Sequence, residues 1–104
     1  MIGIYASIFF GGAFFVNGIP HFVHGISGQK FTSPFAKPPG KGDSSAVVNV
    51  LWGSINFVIA YLLLCAVVTI DLHDAVQKIV AASGGLAMAL ILAFNFSRTR
   101  GGKA

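Results

Sequence analysis

The chain has 104 residues, of which 10% are Asp, Glu, Lys or Arg and 55% are apolar, and its mean hydropathy is +0.79. A soluble globular domain carries about 25% charged residues, so the composition excludes an ordinary soluble domain, a disordered chain and a basic nucleic-acid-binding arm. A single cysteine permits no internal disulfide, which excludes a disulfide-stapled scaffold.

Three long apolar stretches follow one another, at residues 2–26, 46–70 and 76–96. A bilayer core about 30 Å thick is crossed by roughly 20 helical residues, and each stretch reaches that length. The runs do not alternate as barrel strands do. The first has neither a basic leading segment nor a cleavage site, so we expect a retained helix. We predict an all-α integral membrane protein, one membrane domain over 1–104 with three transmembrane helices.

The predicted helices are joined by a long connector at 27–45 and a short one at 71–75, and a tail follows at 97–104. Three crossings place the long connector and the tail on the same side of the membrane. Six of the seven basic residues lie on that side, namely Lys30, Lys37, Lys41, Arg98, Arg100 and Lys103, against Lys78 opposite. The positive-inside rule then predicts a cytoplasmic C-terminus and an external N-terminus.

The long connector alternates aromatic and basic side chains, with Phe31 and Phe35 beside Lys30 and Lys37. One interpretation is an interfacial loop whose rings enter the headgroup region while these lysines and Lys41 meet anionic lipid. The other is a docking loop for a partner, since loops of this length are often functional. The sequence leaves both open.

Both later helices begin with capping residues. Asp43, Ser44 and Ser45 offer side-chain oxygens before the second helix. Asp74 followed by Gln77 predicts a capping box for the third. The short connector between these helices predicts that they are antiparallel neighbours.

Polar side chains recur at helical spacing inside the first two spans. They are Asn17, His21 and His24 in the first, and Asn49, Gly53 and Asn56 in the second, with Trp52 beside them. A rise of about 1.5 Å per residue from the shared interface puts His21 level with Asn49, and Asn17 level with Asn56. We predict that Asn17, His21, Asn49 and Asn56 form a polar seam between the two helices.

The polar seam has two interpretations. Interhelical hydrogen bonds stabilise helix packing in lipid without any ligand. Alternatively, a small polar pocket binds a headgroup, quinone or ion, with Asn17, His21, His24, Asn49, Trp52 and Asn56 as candidate ligand-binding residues. A redox subunit using His21 and His24 is a further alternative. His73 is predicted on the opposite side, so we expect no haem, metal or other cofactor within one chain.

Small residues form ladders that let helices approach closely. They are Gly11, Gly18 and Gly25 on the first helix, Gly53 on the second, and Ala81, Gly85, Ala89 and Ala93 on the third. Three helices enclose little, so one ladder is expected to serve a homo-oligomer or another transmembrane chain.

No catalytic triad arrangement or nucleotide-binding loop occurs in the sequence, so we do not expect an enzyme or a nucleic-acid partner. The sequence favours a small membrane protein that acts by helix packing. It would be an accessory or assembly subunit in a larger complex or a homo-oligomer, with lipids and other transmembrane chains as partners. The alternative is a small-molecule, lipid or ion binding or transport module at the polar seam.

Three segments carry a family resemblance: NGIPHF at 17–22, SPFAKPPG at 33–40 and VNVLWG at 48–53. They resemble a family of small, uncharacterised bacterial multi-pass inner-membrane proteins. The resemblance covers residues 17–53, about a third of the chain. It implies a bacterial inner membrane and assigns no activity to any residue.

Overall fold

A computed structural model describes residues 2–39 and 42–99, of which the backbone alone is described at 99. Helix α1 spans Ile2–Ile26, α2 spans Ala46–Tyr61 and continues into a π-helical segment at Leu62–Ala66, and α3 spans Ala75–Thr99. All three are long and apolar enough to cross a membrane, which confirms the predicted all-α, three-span architecture. The second span ends at Ala66 rather than 70, and α3 continues past 96.

The π-helical segment ends the second span early. The Val67 N–H donates to the Leu62 carbonyl at 2.7 Å, which is the i to i+5 pattern of a π-helix. The buried Ser7 hydroxyl of α1 donates to the Leu63 carbonyl at 2.6 Å. This bond joins the π-helical segment to α1. A π-helical turn of this kind cannot be predicted from apolar composition alone.

Helix α1 lies in the middle of the molecule. It packs along its length against α2 on one side and α3 on another, whereas α2 and α3 scarcely touch. The prediction that α2 and α3 are packed neighbours is therefore wrong. A short connector brings only the ends of two helices together, and the rest of each helix follows its contact with α1.

The glycine ladder of α1 faces α2. A Cβ added at Gly18 would lie 2.9 Å from the Gly53 carbonyl oxygen, and one at Gly25 would lie 2.7 Å from the Ala46 carbonyl oxygen. At Gly11 it would lie 2.6 Å from the Leu64 side chain, and no real side chain tolerates such distances. Gly18 and Gly25 thus lie against α2 of the same chain, and Gly11 lies against the π-helical segment that follows it.

The contact between α1 and α3 uses two glycines that were not predicted. A Cβ added at Gly84 would overlap the Phe9 carbonyl, and one at Gly12 would overlap the Ala81 carbonyl. Of the predicted α3 ladder, Ala81 and Gly85 lie at this contact, Ala89 is half-buried beside it and Ala93 is exposed. The α3 ladder is thus used largely within the chain.

The long connector folds back on the helices as a small antiparallel hairpin. Strand β1, Phe31–Thr32, pairs with β2, Asp43–Ser44, in the register Phe31 opposite Ser44. Gly28 has φ 72°, a left-handed conformation that favours glycine and turns the chain away from α1. The hairpin therefore lies against the end of α1 and not at a distance from the bundle.

The predicted caps form at both later helices. The Ser45 hydroxyl accepts the Val48 N–H at 3.1 Å as the N-cap of α2. Asp74 accepts the Gln77 N–H at 3.3 Å at the start of α3. The Gln77 side chain does not return this bond to Asp74, because it accepts the Asp71 N–H at 2.8 Å.

Candidate functional site

The polar seam consists of two hydrogen-bonded pairs between α1 and α2. Asn17 Nδ2 donates to Asn56 Oδ1 at 2.8 Å, and His21 Nδ1 lies 2.9 Å from Asn49 Oδ1. Asn49 and Asn56 are fully buried and His21 is nearly so. The pairing predicted from depth is confirmed, and both glycines between the pairs, Gly18 and Gly53, allow the close approach it requires.

Asn49 also ties the connector to the seam. Its Nδ2 donates to the carbonyl oxygens of Phe31, Ser44 and Ser45 at 2.9, 3.3 and 3.0 Å. Carbonyls only accept hydrogen bonds, so the amide nitrogen faces them and Oδ1 faces His21. His21 Nδ1 must then carry a hydrogen, and the neutral ring has its acceptor lone pair on Nε2.

A cavity of about 150 Å³ opens beside His21, with α1 as its floor and the connector at one end. Its lining comes from all three helices and the connector: Asn17 and His21 from α1, Trp52 from α2, Leu92, Asn95 and Phe96 from α3, and Thr32, Ser33 and Pro34. The space exists because α2 and α3 do not close on each other. An engineered cavity of this size binds benzene, so the space accommodates a single ring.

Two buried polar atoms on this wall, Thr32 Oγ1 and Trp52 Nε1, have no hydrogen-bond partner within the described part of the chain. Thr32 is only 1% exposed. A buried polar group without a partner costs about 1–3 kcal/mol, and such groups are rare in native proteins. The neighbouring Ser33 hydroxyl, by contrast, bonds to Ser44 Oγ at 2.6 Å and accepts the Phe35 N–H at 3.1 Å.

Phe31 does not line the cavity, but its ring contacts two residues that do, His21 and Phe96. It is 5% exposed, its ring stacks on His24 with centroids 4.0 Å apart, and it meets Phe96 edge-on at 4.7 Å. The expectation that Phe31 contacts lipid or a partner is therefore wrong. Phe35 is 61% exposed but its ring lies edge-on to Trp52 at 5.2 Å.

The connector's lysines, which were expected to act with these rings, do not indicate a further binding site. Lys30 and Lys37 are exposed, as the lipid-contact hypothesis requires. Lys41, Arg100 and Lys103 lie outside the described residues. The connector's aromatic rings thus contact residues of the cavity lining, and its two described lysines remain on the surface.

His24 does not share a site with His21. Its Nδ1 donates to the Pro20 carbonyl at 2.7 Å, its ring is covered by Phe31, and it does not line the cavity. Over residues 2–39 and 42–99, no group of three or more His, Cys, Asp or Glu side chains is placed to hold a metal ion. The polar side chains that line the cavity are those of Asn17, His21, Thr32, Ser33, Trp52 and Asn95.

Comparison with known proteins adds no relative: no family model, no curated protein and no solved structure matches this chain. The resemblance to small bacterial multi-pass membrane proteins stays a prediction.

Proposed function

We propose that this chain is an integral membrane protein that binds a small, uncharged, hydrogen-bonding molecule in the cavity between α2 and α3. The observation that carries the proposal is that Thr32 and Trp52 both line one cavity, while Thr32 Oγ1 and Trp52 Nε1 are buried and have no hydrogen-bond partner among the described residues. Buried polar groups are nearly always paired, by protein, water or ligand. A bound molecule with a suitable oxygen supplies the missing partners.

The lining favours a neutral ligand. Among residues 2–39 and 42–99, the lining contains no Asp, Glu, Lys or Arg, and His21 is the one titratable side chain there. Burying an ion without a charged partner is costly, so a charged molecule is disfavoured here. The volume of about 150 Å³ limits the enclosed part of the ligand to roughly one ring.

The bilayer is the natural source of such a ligand. The helices on either side of the cavity expose apolar side chains, with Leu51 of α2 at 59% and Ile91 of α3 at 61% exposure. Such surfaces are stable when lipid covers them. Because α2 and α3 scarcely touch, the cavity lies between two lipid-facing helices, and a small neutral molecule dissolved in the membrane reaches it laterally.

The proposed location is the bacterial inner membrane, with the N-terminus outside and the C-terminus in the cytoplasm. Six of the seven basic residues on one side support this orientation. A C-terminal reporter that is active only outside the cytoplasm should be inactive, and one that is active only inside should give signal. The opposite pattern would reverse the orientation.

Trp52 provides a direct test of binding, because it is the single tryptophan of the chain and lines the cavity. The purified protein in lipid nanodiscs is titrated with small neutral probes such as phenol and benzyl alcohol while indole fluorescence is recorded. We expect a saturable change that Thr32→Val weakens. Thr69→Val is the matched control, because Thr69 is exposed and lies away from the cavity. A response that never saturates, or one equally weakened by both variants, would refute the proposal.

A second candidate function, assembly through helix packing, is favoured by a wide groove of about 450 Å³ along α1 and α3. Its base consists of small residues, and it is lined by Gly12, Phe15, Val16, Leu64, Ala81, Ala82, Gly85, Leu86 and Ala89. Small residues let a further transmembrane helix approach closely. The chain would then be an accessory or assembly subunit in a homo-oligomer or a larger membrane complex.

Native mass spectrometry after mild extraction tests this second function. Ala82→Leu places a larger side chain in the groove without entering the α1 contact, because Ala82 is exposed. Ala93→Leu is the matched control on the same helix, exposed and outside the groove. We expect Ala82→Leu alone to release partner mass. If the extracted protein carries no partner chain, the assembly function is wrong.

A further inference from the structure

We infer that the ligand presents a ring hydroxyl, as a phenol or quinol does, and that this hydroxyl donates to His21 and accepts from Trp52 or Thr32. The inference rests on the proposed binding function and names its ligand class. It follows from three features of the cavity: the fixed orientation of His21, the unpartnered groups of Trp52 and Thr32, and the rings near His21.

The orientation of His21 is fixed by the connector. Asn49 is fully buried, and its amide nitrogen faces three backbone carbonyls, so its oxygen can only accept from His21 Nδ1. With Nδ1 turned to Asn49, the atom left for a ligand is Nε2, which in the neutral ring accepts a hydrogen bond. His21 lines the cavity, so Nε2 is the ring atom that remains to accept a hydrogen bond from a ligand there.

The two buried groups without a partner, Trp52 Nε1 and Thr32 Oγ1, call for a hydrogen-bond acceptor in the ligand. Trp52 Nε1 is a donor only, and the Thr32 hydroxyl donates or accepts. A hydroxyl is the smallest group that serves both sides, because it donates one hydrogen and accepts through its lone pairs. A ketone, quinone or ether only accepts and leaves His21 Nε2 unmatched. An ammonium only donates and leaves the indole N–H unmatched.

Aromatic rings surround the polar atoms. The His21 ring has Phe96 edge-on at 6.3 Å and Trp52 edge-on at 6.5 Å between centroids. Leu92 and Pro34 complete the apolar part of the lining. Aromatic rings pack favourably in edge-to-face and offset arrangements, so a flat ring suits this enclosure better than a bulky saturated one. The volume matches one such ring.

The experiment compares phenol with toluene, which has the same number of heavy atoms and a methyl group in place of the hydroxyl. Binding to protein in nanodiscs is followed by Trp52 fluorescence, with each probe's concentration expressed in the lipid phase. We expect phenol to bind about tenfold more tightly than toluene, the value of roughly one net hydrogen bond. Cyclohexanol and benzoquinone, which lack the aromatic ring and the hydroxyl respectively, should both bind more weakly than phenol.

A second measurement reports on His21 without a substitution that would break its bond to Asn49. In protein labelled with ¹⁵N-histidine, the Nε2 resonance of His21 should move upfield as phenol saturates the site, because the atom becomes a hydrogen-bond acceptor. The His24 resonance serves as the internal control, since His24 does not line the cavity. Toluene should move neither resonance beyond a small ring-current effect.

The outcomes separate the two claims. If benzoquinone binds more tightly than phenol, or cyclohexanol binds as tightly, the ligand class is wrong while the binding function stands. If phenol binds saturably but the Nε2 resonance does not move, only the role assigned to His21 is wrong. If phenol and toluene bind equally, or no probe binds saturably, the hydrogen-bonding function itself is wrong and the ligand class falls with it.

Discussion

Replacing Thr32 by valine should stabilise the ligand-free protein. Valine keeps the shape and the branched Cβ that suit strand β1, and it removes a buried hydroxyl that has no partner among the described residues. Leaving such a group unsatisfied costs about 1–3 kcal/mol, so the free energy of unfolding should rise by about that amount. Most core substitutions destabilise, which makes the sign of this effect diagnostic.

A bound ligand should cancel part of the stability advantage of the Thr32→Val protein over the wild type. At a concentration of 100 Kd, a ligand stabilises its native receptor by about 2.7 kcal/mol. If the substitution weakens binding tenfold, the same concentration stabilises the Thr32→Val protein by about 1.4 kcal/mol. The advantage of the variant should therefore shrink by about 1.3 kcal/mol when phenol is present.

The assay is unfolding by sodium dodecyl sulfate in mixed micelles, followed by circular dichroism, with and without phenol. Ser33→Ala is the comparison at the neighbouring residue. The Ser33 hydroxyl has two hydrogen-bond partners, so its removal should lower the free energy of unfolding by about 1 kcal/mol. Thr69→Val should change stability by less than about 0.5 kcal/mol. If Thr32→Val destabilises the ligand-free protein, the hydroxyl has a partner such as a bound water. An unpartnered Thr32 hydroxyl then no longer supports a ligand site.

Three further predictions use the same unfolding assay. Asn49→Leu should cost about 2 kcal/mol or more, because it leaves several buried partners unpaired; a near-wild-type value would contradict its central role. Gly84→Ala should cost about 1–3 kcal/mol because α3 must move from α1, whereas Gly3→Ala, in open space, should be neutral; equal effects would contradict the packing. Phe31→Ala should cost about 3 kcal/mol and Phe35→Ala less than about 1 kcal/mol, and the reverse order would mean that the connector is not folded as described.

The helices and the polar seam follow from sequence because each depends on a local, periodic signal. Charge-free runs of sufficient length define the spans, and α1 has the bounds that hydropathy predicts. The pairs of the seam follow from two facts: the helices share an interface, and each residue advances by a fixed rise. Depth alone therefore matches His21 with Asn49 and Asn17 with Asn56, as the structure confirms.

Of the candidate ligand-binding residues, Asn17, His21 and Trp52 line the cavity, but the walls that the connector and α3 supply could not be predicted, because they come from contacts without a sequence period. Thr32 lies in a two-residue strand whose partner is 11 residues away across a proline-rich turn, and no alternation marks such short strands. The position of α3 depends on the fit of Gly84 against the Phe9 backbone, one residue from the ladder that the spacing indicated. The alternation of aromatic and basic residues in the connector likewise predicted that Phe31 faces lipid, although its ring packs on His24.

The central position of α1 has a consequence for how the molecule can be divided. Both pairs of the polar seam join α1 to α2, so neither pair requires α3. Leu92, Asn95 and Phe96 of α3 supply part of the cavity lining, so the cavity requires the third helix as well. A chain that ends before α3 keeps every residue of the polar seam and loses the cavity.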